Sequence, residues 1–387
     1  MLIANLVVLL IVLGCAAYQY LKGTLLKSFA TVIIAVCAST VAFAYFELLA
    51  NVFISRSDNN RFPAIVPWAQ PLSLALLFVL TFAILQTAAA NLLRQPVDLG
   101  QLPERIGRPI CGIFLGLILS GLLLTALAMA PLPIKYPYTR FDENRPDPEK
   151  PAKALFNTEG FVTGWFSLLS KGSFSGKASF AALHPDFITQ LFLNRHKAAD
   201  GVSIVTSSNA IEVPKRQGQA KAAAAWIPSE SLKDSHERPI PGKTGNTLTM
   251  VRVGIKKNAV DSAGKFTLSQ LRLICKQKAS PDAQNPLTGK GRNIYPLGYL
   301  KARNQLQLKR LDDPIEVKRS DFDGAATVRW LDFAFYVPND SVPVLVEFKQ
   351  NSIAEVPPLV SAEEAPAPVP FVDQSDRQKE TRAKSKG

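Results

Sequence analysis

Four stretches near the start of the chain carry almost no charge: Leu2 to Tyr18, Phe29 to Leu49, Leu72 to Leu93 and Ile110 to Ala130. A helix rises 1.5 Å per residue, so roughly 20 residues cover the ~30 Å hydrocarbon layer of a bilayer. The fourth stretch is 21 residues long without one charged side chain. Four such segments in water would need a large polar shell that this chain does not supply. The pattern therefore predicts a four-helix transmembrane domain over residues 1–130. The first stretch has no basic residues before it, and Gln19-Tyr20-Leu21-Lys22 follows where a cleavage site would need small side chains. It is expected to remain as a helix.

Punctuation agrees with this division. Lys22-Gly23 breaks the first helical pair, Pro63 and Pro67 precede the third helix, and Pro96 and Pro103 bound the loop before the fourth. Pro109 is expected in the first turn of helix four, where its missing N–H leaves nothing unsatisfied. Trp68, Tyr18 and Tyr20 fall where interfacial aromatics belong.

Beyond residue 130 the pattern changes. Residues 131–154 are rich in Pro and charge and read as an extended linker. Residues 155–200 predict two short amphipathic helices. One carries Phe161, Val162, Trp165, Leu168 and Leu169, with Thr158 as cap and Gly172 as stop; the other runs from Phe187 through Phe192 to Arg195-His-Lys197. Their apolar faces suit either a membrane surface or their own domain, and the latter is the usual arrangement. From residue 201 to 352 the period becomes two, with candidate strands at Val202–Val205, Ala210–Val213, Thr247–Ile255, Phe266–Cys275, Ala325–Tyr336 and Pro343–Phe348. Recurring short strands between Pro, Gly and Asn clusters predict a mainly-β soluble domain, an antiparallel sandwich. Residues 353–387, dominated by Pro, Ala, Glu and Lys, read as a disordered tail. The fold class expected is a multi-pass α-helical membrane protein followed by that β domain.

Charge sharpens the division. Residues 1–130 hold seven bases and four acids, against 44 and 31 in the whole chain, so residues 131–387 carry +10 of the +13 net charge. A basic balance suits an anionic lipid surface, nucleic acid or a polyanionic envelope polymer. The run Lys215-Arg216 to Lys221 lacks interleaved aromatics for base stacking, which argues against nucleic acid. Loops one and three of the membrane region carry Lys22, Lys27, Arg94, Arg105 and Arg108; loop two carries only Arg56 and Arg61. The positive-inside rule then places loops one and three in the cytoplasm and the soluble domain outside, although Lys135, Arg140, Arg145 and Lys150 pull the other way. Cys15, Cys37 and Cys111 lie in apolar stretches and Cys275 is alone in the soluble part, so no disulfide framework is expected there.

Within helix four, Gly107, Gly112, Gly116, Ser120 and Gly121 form a small-residue stripe containing G-x-x-x-G. Small residues let helix backbones approach closely in lipid. The stripe suits either self-association through helix four or packing inside the chain's own bundle. Intramembrane polar residues are few. Glu47 lies near a helix end and Gln86 within helix three, which gives a channel little support.

A search for chemistry returns no constellation. His184, His196 and His236 are far apart and no Cys pair accompanies them, so no metal site is expected. Gly242-Lys243-Thr244 lacks the earlier glycine of a phosphate loop, which falls at Glu237. Ser262-Ala-Gly-Lys265, Ser57-Asp-Asn59 and Lys243-Thr-Gly245 match penicillin-binding triplets, but in the wrong order. Asp312, Asp313, Asp321 and Asp323 stand among Lys309, Arg310, Lys318 and Arg319, as in solvated ion-pair turns. No enzyme and no cofactor is expected.

Several short motifs in residues 3–130 resemble the colicin V production protein family. They are Tyr18-Gln-Tyr-Leu-Lys-Gly23, then Leu25-Leu-Lys-Ser-Phe29, then Leu102-Pro-Glu-Arg-Ile-Gly107 leading to Gly112-Ile-Phe-Leu-Gly116. Family members show Arg-Gly after helix one and Asp-Arg at the entry to helix four; this chain has Lys22-Gly23 and Glu104-Arg105. The resemblance implies a bacterial inner-membrane protein linked to toxin export or envelope maintenance, and it does not reach residues 131–387. The expected function is a non-enzymatic membrane anchor or adaptor with a soluble domain that binds an envelope protein or polymer. The alternative is a transport accessory protein or small channel formed by the four-helix unit.

Overall fold

The computed structural model describes residues 1–57, 65–93, 100–171, 178–215, 223–283 and 285–373. They form two compact units. The first comprises Met1–Glu143, Asp147–Gly172 and Phe187–Phe192; the second comprises Asn144–Pro146, Ser173–Asp186 and Leu193–Gly387.

Four helices long and apolar enough to cross a membrane dominate the first unit: α1 (Leu2–Lys22), α2 (Leu25–Ser57), α3 (Ala69–Leu92) and α4 (Gln101–Met129). α1 packs on α4, α2 on α3, and α2 also on α4. All four helices present large exposed apolar side chains, such as Leu10, Leu48, Ile84 and Phe114. That is the pattern of helices whose outer solvent is hydrocarbon.

Most of the helices outrun their apolar stretches. α2 has 33 residues, and α4 begins at Gln101, so Pro109 lies inside the helix instead of in its first turn. The expectation for Pro109 is corrected for a physical reason. Glu104 accepts the Leu25 N–H at 3.0 Å and pairs with Arg108, so the polar turn before the apolar stretch is anchored and stays helical. Packing by neighbouring helices tolerates the missing hydrogen bond of an internal proline.

The chain after α4 also belongs to this unit, up to Glu143 and again from Asp147. Residues 131–154 hold no helix or strand, in keeping with the extended linker that the composition predicts, but Tyr138, Arg140 and Phe141 within them are buried. α5 (Thr158–Lys171) packs on α4, with Val162 against Gly121 and Phe166 stacked on Phe43 of α2 at 5.3 Å. Of the face expected to pack together, Val162 turns inward while Phe161, Trp165 and Leu168 are exposed. Gly172 lies outside the described residues.

In the second unit the named strands pair antiparallel throughout. One sheet has the order β1 (Ile211–Glu212), β3 (Asn246–Lys256), β10 (Val328–Pro338), β7 (Gly298–Ala302), β8 (Gln305–Leu308), with β2 (Ala225–Trp226) also on β3. A second has the order β12 (Ser352–Glu355), β11 (Ser341–Phe348), β5 (Leu271–Gln277), β6 (Arg292–Ile294). β4 (Lys265–Thr267) pairs with β9 (Pro314–Glu316). Val251, Val253, Leu331, Phe333 and Phe335 from the first sheet share one core with Leu271, Leu273, Val346 and Phe348 from the second.

Several strand expectations are corrected. Residues 202–205 form no strand, although Val202, Ile204 and Val205 are buried. Phe266–Cys275 is two strands, split by a turn over Leu268–Gln270 in which Gln270 caps Thr267. Residues 353–373 are not a tail. Glu355 and Ala354 belong to β12, Val360 N–H bonds to Ala225 O, and Phe371 N–H bonds to Leu300 O. The cross-strand pair Arg252–Asp332 fixes this segment: Asp332 accepts the Val369 N–H at 2.9 Å and Arg252 donates to Ala367 O at 2.6 Å. Phe371 enters the core against Tyr299. Residues 374–387 lie outside the described residues.

Candidate functional site

The small-residue stripe of α4 is occupied from within the chain. A Cβ at Gly112 would stand 2.5 Å from Ala16 Cα, and one at Gly116 would stand 2.6 Å from Val12 Cα. Gly107 faces Leu25 and Gly121 faces α5. Ser120 Oγ turns back to the Gly116 carbonyl at 2.7 Å. The intrachain reading is the one the structure has, and the glycine face is not open to a second copy.

Lys22, Lys27, Arg105 and Arg108 gather at one end of the bundle, around a packed turn in which Ser28 Oγ donates to Gln19 Oε1 at 2.8 Å. Arg94 lies outside the described residues, as do residues 58–64, with Arg61 and most of the Ser57–Asn59 triplet. Gln86 lines a small pocket with Lys27 and Thr31 at the basic end. Glu47 sits 20 residues beyond Lys27 on α2, about 30 Å away along the helix. Glu47 and Gln86 thus lie toward opposite ends of the helical bundle.

Two nodes of buried charge hold the units. In the first unit, Arg140 lies 3.8 Å from Glu159, Tyr138 donates to the same carboxylate at 2.5 Å, and Arg140 also reaches Thr189. Burial, with Glu159 beside it, pushes the Tyr138 hydroxyl well above its ordinary pKa. In the second unit, Arg272 and Glu347 are opposite one another on β5 and β11 and form an ion pair. Arg272 also donates to Leu183 O and Asn293 Oδ1. Further along the same sheet face Lys276 is buried and donates to three backbone carbonyls. Sequence reading missed these groups, because alternating Arg272, Ile274 and Lys276 looks like a solvated face until Leu183, Asp282, Asn285 and Thr288 cover it.

Of the motif candidates, His184 joins the Arg272 node, with Nδ1 at 3.3 Å from the guanidinium. His196 is buried elsewhere and His236 is exposed. Lys265 donates to Asp200 O, and Ser262 bonds to Thr206. Asp312 pairs with Arg310 but is buried instead of solvated, Asp321 accepts the Lys318 backbone N–H, and the side chains of Lys318 and Arg319 pair with Glu316 and Asp261. Among the described residues no three His, Cys, Asp or Glu side chains are grouped to hold a metal.

The candidate site is a groove of about 1110 Å³ on the second unit. Its walls are the outermost strands of the two sheets, β1 and β12. They meet where Ser352 Oγ accepts the Ile211 N–H at 3.1 Å and donates to Ser208 O. Val342, Val344, Ile353 and Leu359 give the groove an apolar floor, with Pro357 and Pro358 beside them. Lys215, Lys256 and Lys278 outnumber Glu212 and Glu355 around it, and Lys256 pairs with Glu212 at 3.6 Å. An edge strand exposes backbone N–H and C=O groups that an incoming extended segment can pair with. No family model, curated protein or solved structure matches the chain.

Proposed function

We propose that the protein is a non-enzymatic adaptor of the bacterial inner membrane, of the colicin V production type. In this reading the helical unit anchors it, and the β domain holds an extended segment of another envelope protein. The observation that carries this reading is the groove beside β12, the edge strand of the second sheet, which offers backbone pairing along one side and an apolar floor. The lysine excess at its rim favours a segment bearing carboxylates. The clustering of Lys22, Lys27, Arg105 and Arg108 at one end of the bundle supports a cytoplasmic location for that end. α4 leads away from it, so the chain after residue 130 emerges on the periplasmic side.

The test is a photo-crosslinking amino acid placed at Leu359 in the full-length protein in cells, with Thr244 as a control position. A protein adduct of single mass at Leu359, absent at Thr244 and lost on Val342→Glu, is expected. Identical adducts at both positions, or attachment to envelope polymer alone, would overturn the reading.

A further inference from the structure

Taking the four apolar helices as membrane-spanning, we propose that α5 is an in-plane membrane helix whose Phe161, Trp165 and Leu168 insert into the lipid at the far interface. These three stand at i, i+4 and i+7 on one helical face and are 41%, 44% and 61% exposed. The opposite face, with Glu159, Val162, Phe166 and Ser170, is buried within the first unit.

Three contacts fix the level at which this segment lies. Val162 meets α4 at Gly121, which is 13 residues beyond Arg108, or about 20 Å along the helix. Phe166 stacks on Phe43, 16 residues beyond Lys27 and so about 24 Å along α2. Just before α5, Leu155 N–H bonds to Asn5 Oδ1 at 2.9 Å, 17 residues and about 25 Å from Lys22. Measured from the same basic end, all three fall between about 20 and 25 Å of a hydrocarbon layer ~30 Å thick. α5 therefore runs nearly parallel to the layer, about 5–10 Å inside its far boundary, the depth at which amphipathic helices lie.

At this level an exposed face meets acyl chains or headgroups, and Trp165 has the amphipathic ring favoured there. Lys171 in the last turn is exposed and has a stem long enough to reach the headgroups.

Quenching by brominated lipid reads this directly. Full-length protein retaining Trp165, Trp68 or Trp226 as its single tryptophan would be reconstituted in phosphatidylcholine–phosphatidylglycerol vesicles containing 6,7-dibromo-phosphatidylcholine. Trp165 emission should fall at least twofold, and Trp226 emission by less than a tenth. Comparing wild type with Trp165→Phe gives the same quenched fraction without replacing the buried indoles. Quenching of Trp68 with none of Trp165 would overturn the proposal while leaving the membrane anchor intact. If neither is quenched and the protein floats free of vesicles, the membrane reading fails and the proposal with it.

Discussion

Gly116 lies against the backbone of Val12, so close that a Cβ on the glycine would stand 2.6 Å from the Val12 α-carbon. Together with Gly112 over Ala16, this contact sets the approach of α1 and α4. In lipid, where hydrophobic exclusion does not draw helices together, close backbone packing does much of that work.

Gly116→Leu should therefore separate the two helices. Overpacking of this kind destabilises by about 1–3 kcal/mol or more. Gly14→Ala is the matched control, because nothing lies within 4 Å of a Cβ there. Unfolding of the detergent-solubilised protein by increasing SDS should show a lower midpoint for the first variant only. Equal midpoints would contradict the packing role.

Arg140→Met should be severely destabilising, because it removes the charge that balances the Glu159 carboxylate, which has 1% of its surface exposed and keeps only the neutral Tyr138 hydroxyl of this node. Removing one partner of a buried pair costs about 3–5 kcal/mol. Adding Glu159→Leu should recover much of that loss. A double-mutant cycle on thermal midpoints checks this, and additive losses would show that the two residues do not act as a pair.

Cys275 should be chemically silent in the folded protein. Burial in the β core pushes its thiol up to about 12, so almost no thiolate exists at pH 8. Peptide mapping after maleimide treatment should find it unmodified until denaturant is added. Rapid labelling of native protein would refute the burial.

Lys349 gives the β domain a distinctive pH response. Its ammonium is buried and donates to the Ser262 and Lys265 carbonyls, and burial lowers its pKa from 10.5 to about 7. Between pH 7 and 10.5 the unfolded chain holds a proton there that the folded chain has shed, so stability rises with pH across that window. Below pH 7 the full cost of burying the charge remains. Melts of full-length protein from pH 6.5 to 9 should show an upward slope in wild type that Lys349→Met flattens. The same slope in both would remove Lys349 as its source.

Residues whose environment is set by their nearest neighbours were legible before the fold was known. Ile110 to Ala130 must be helical in lipid whatever surrounds it, since no other conformation satisfies its backbone there. The period-two pattern in Thr247–Ile255 and Ala325–Tyr336 likewise located the two long strands, β3 and β10, to within a few residues, although both faces of each are buried. The short strands were not visible. β2 and β6 have two and three residues and are defined by the partners they pair with, not by any pattern of their own.

What the amino-acid order determined alone is the division into an oily helical part and a basic β part, because hydropathy and period are local properties. Tertiary structure decided where each face goes. It turned the G-x-x-x-G of α4 onto α1, buried Arg272 and Lys276 beneath a covering loop, and bound the Pro-rich stretch to Asp373 onto the sheet through Asp332 and Phe371. The physical reason is common to all three. A glycine stripe, an alternating lysine or a proline-rich segment has no free-energy preference until a partner far along the chain supplies the backbone, carbonyls or carboxylate it meets.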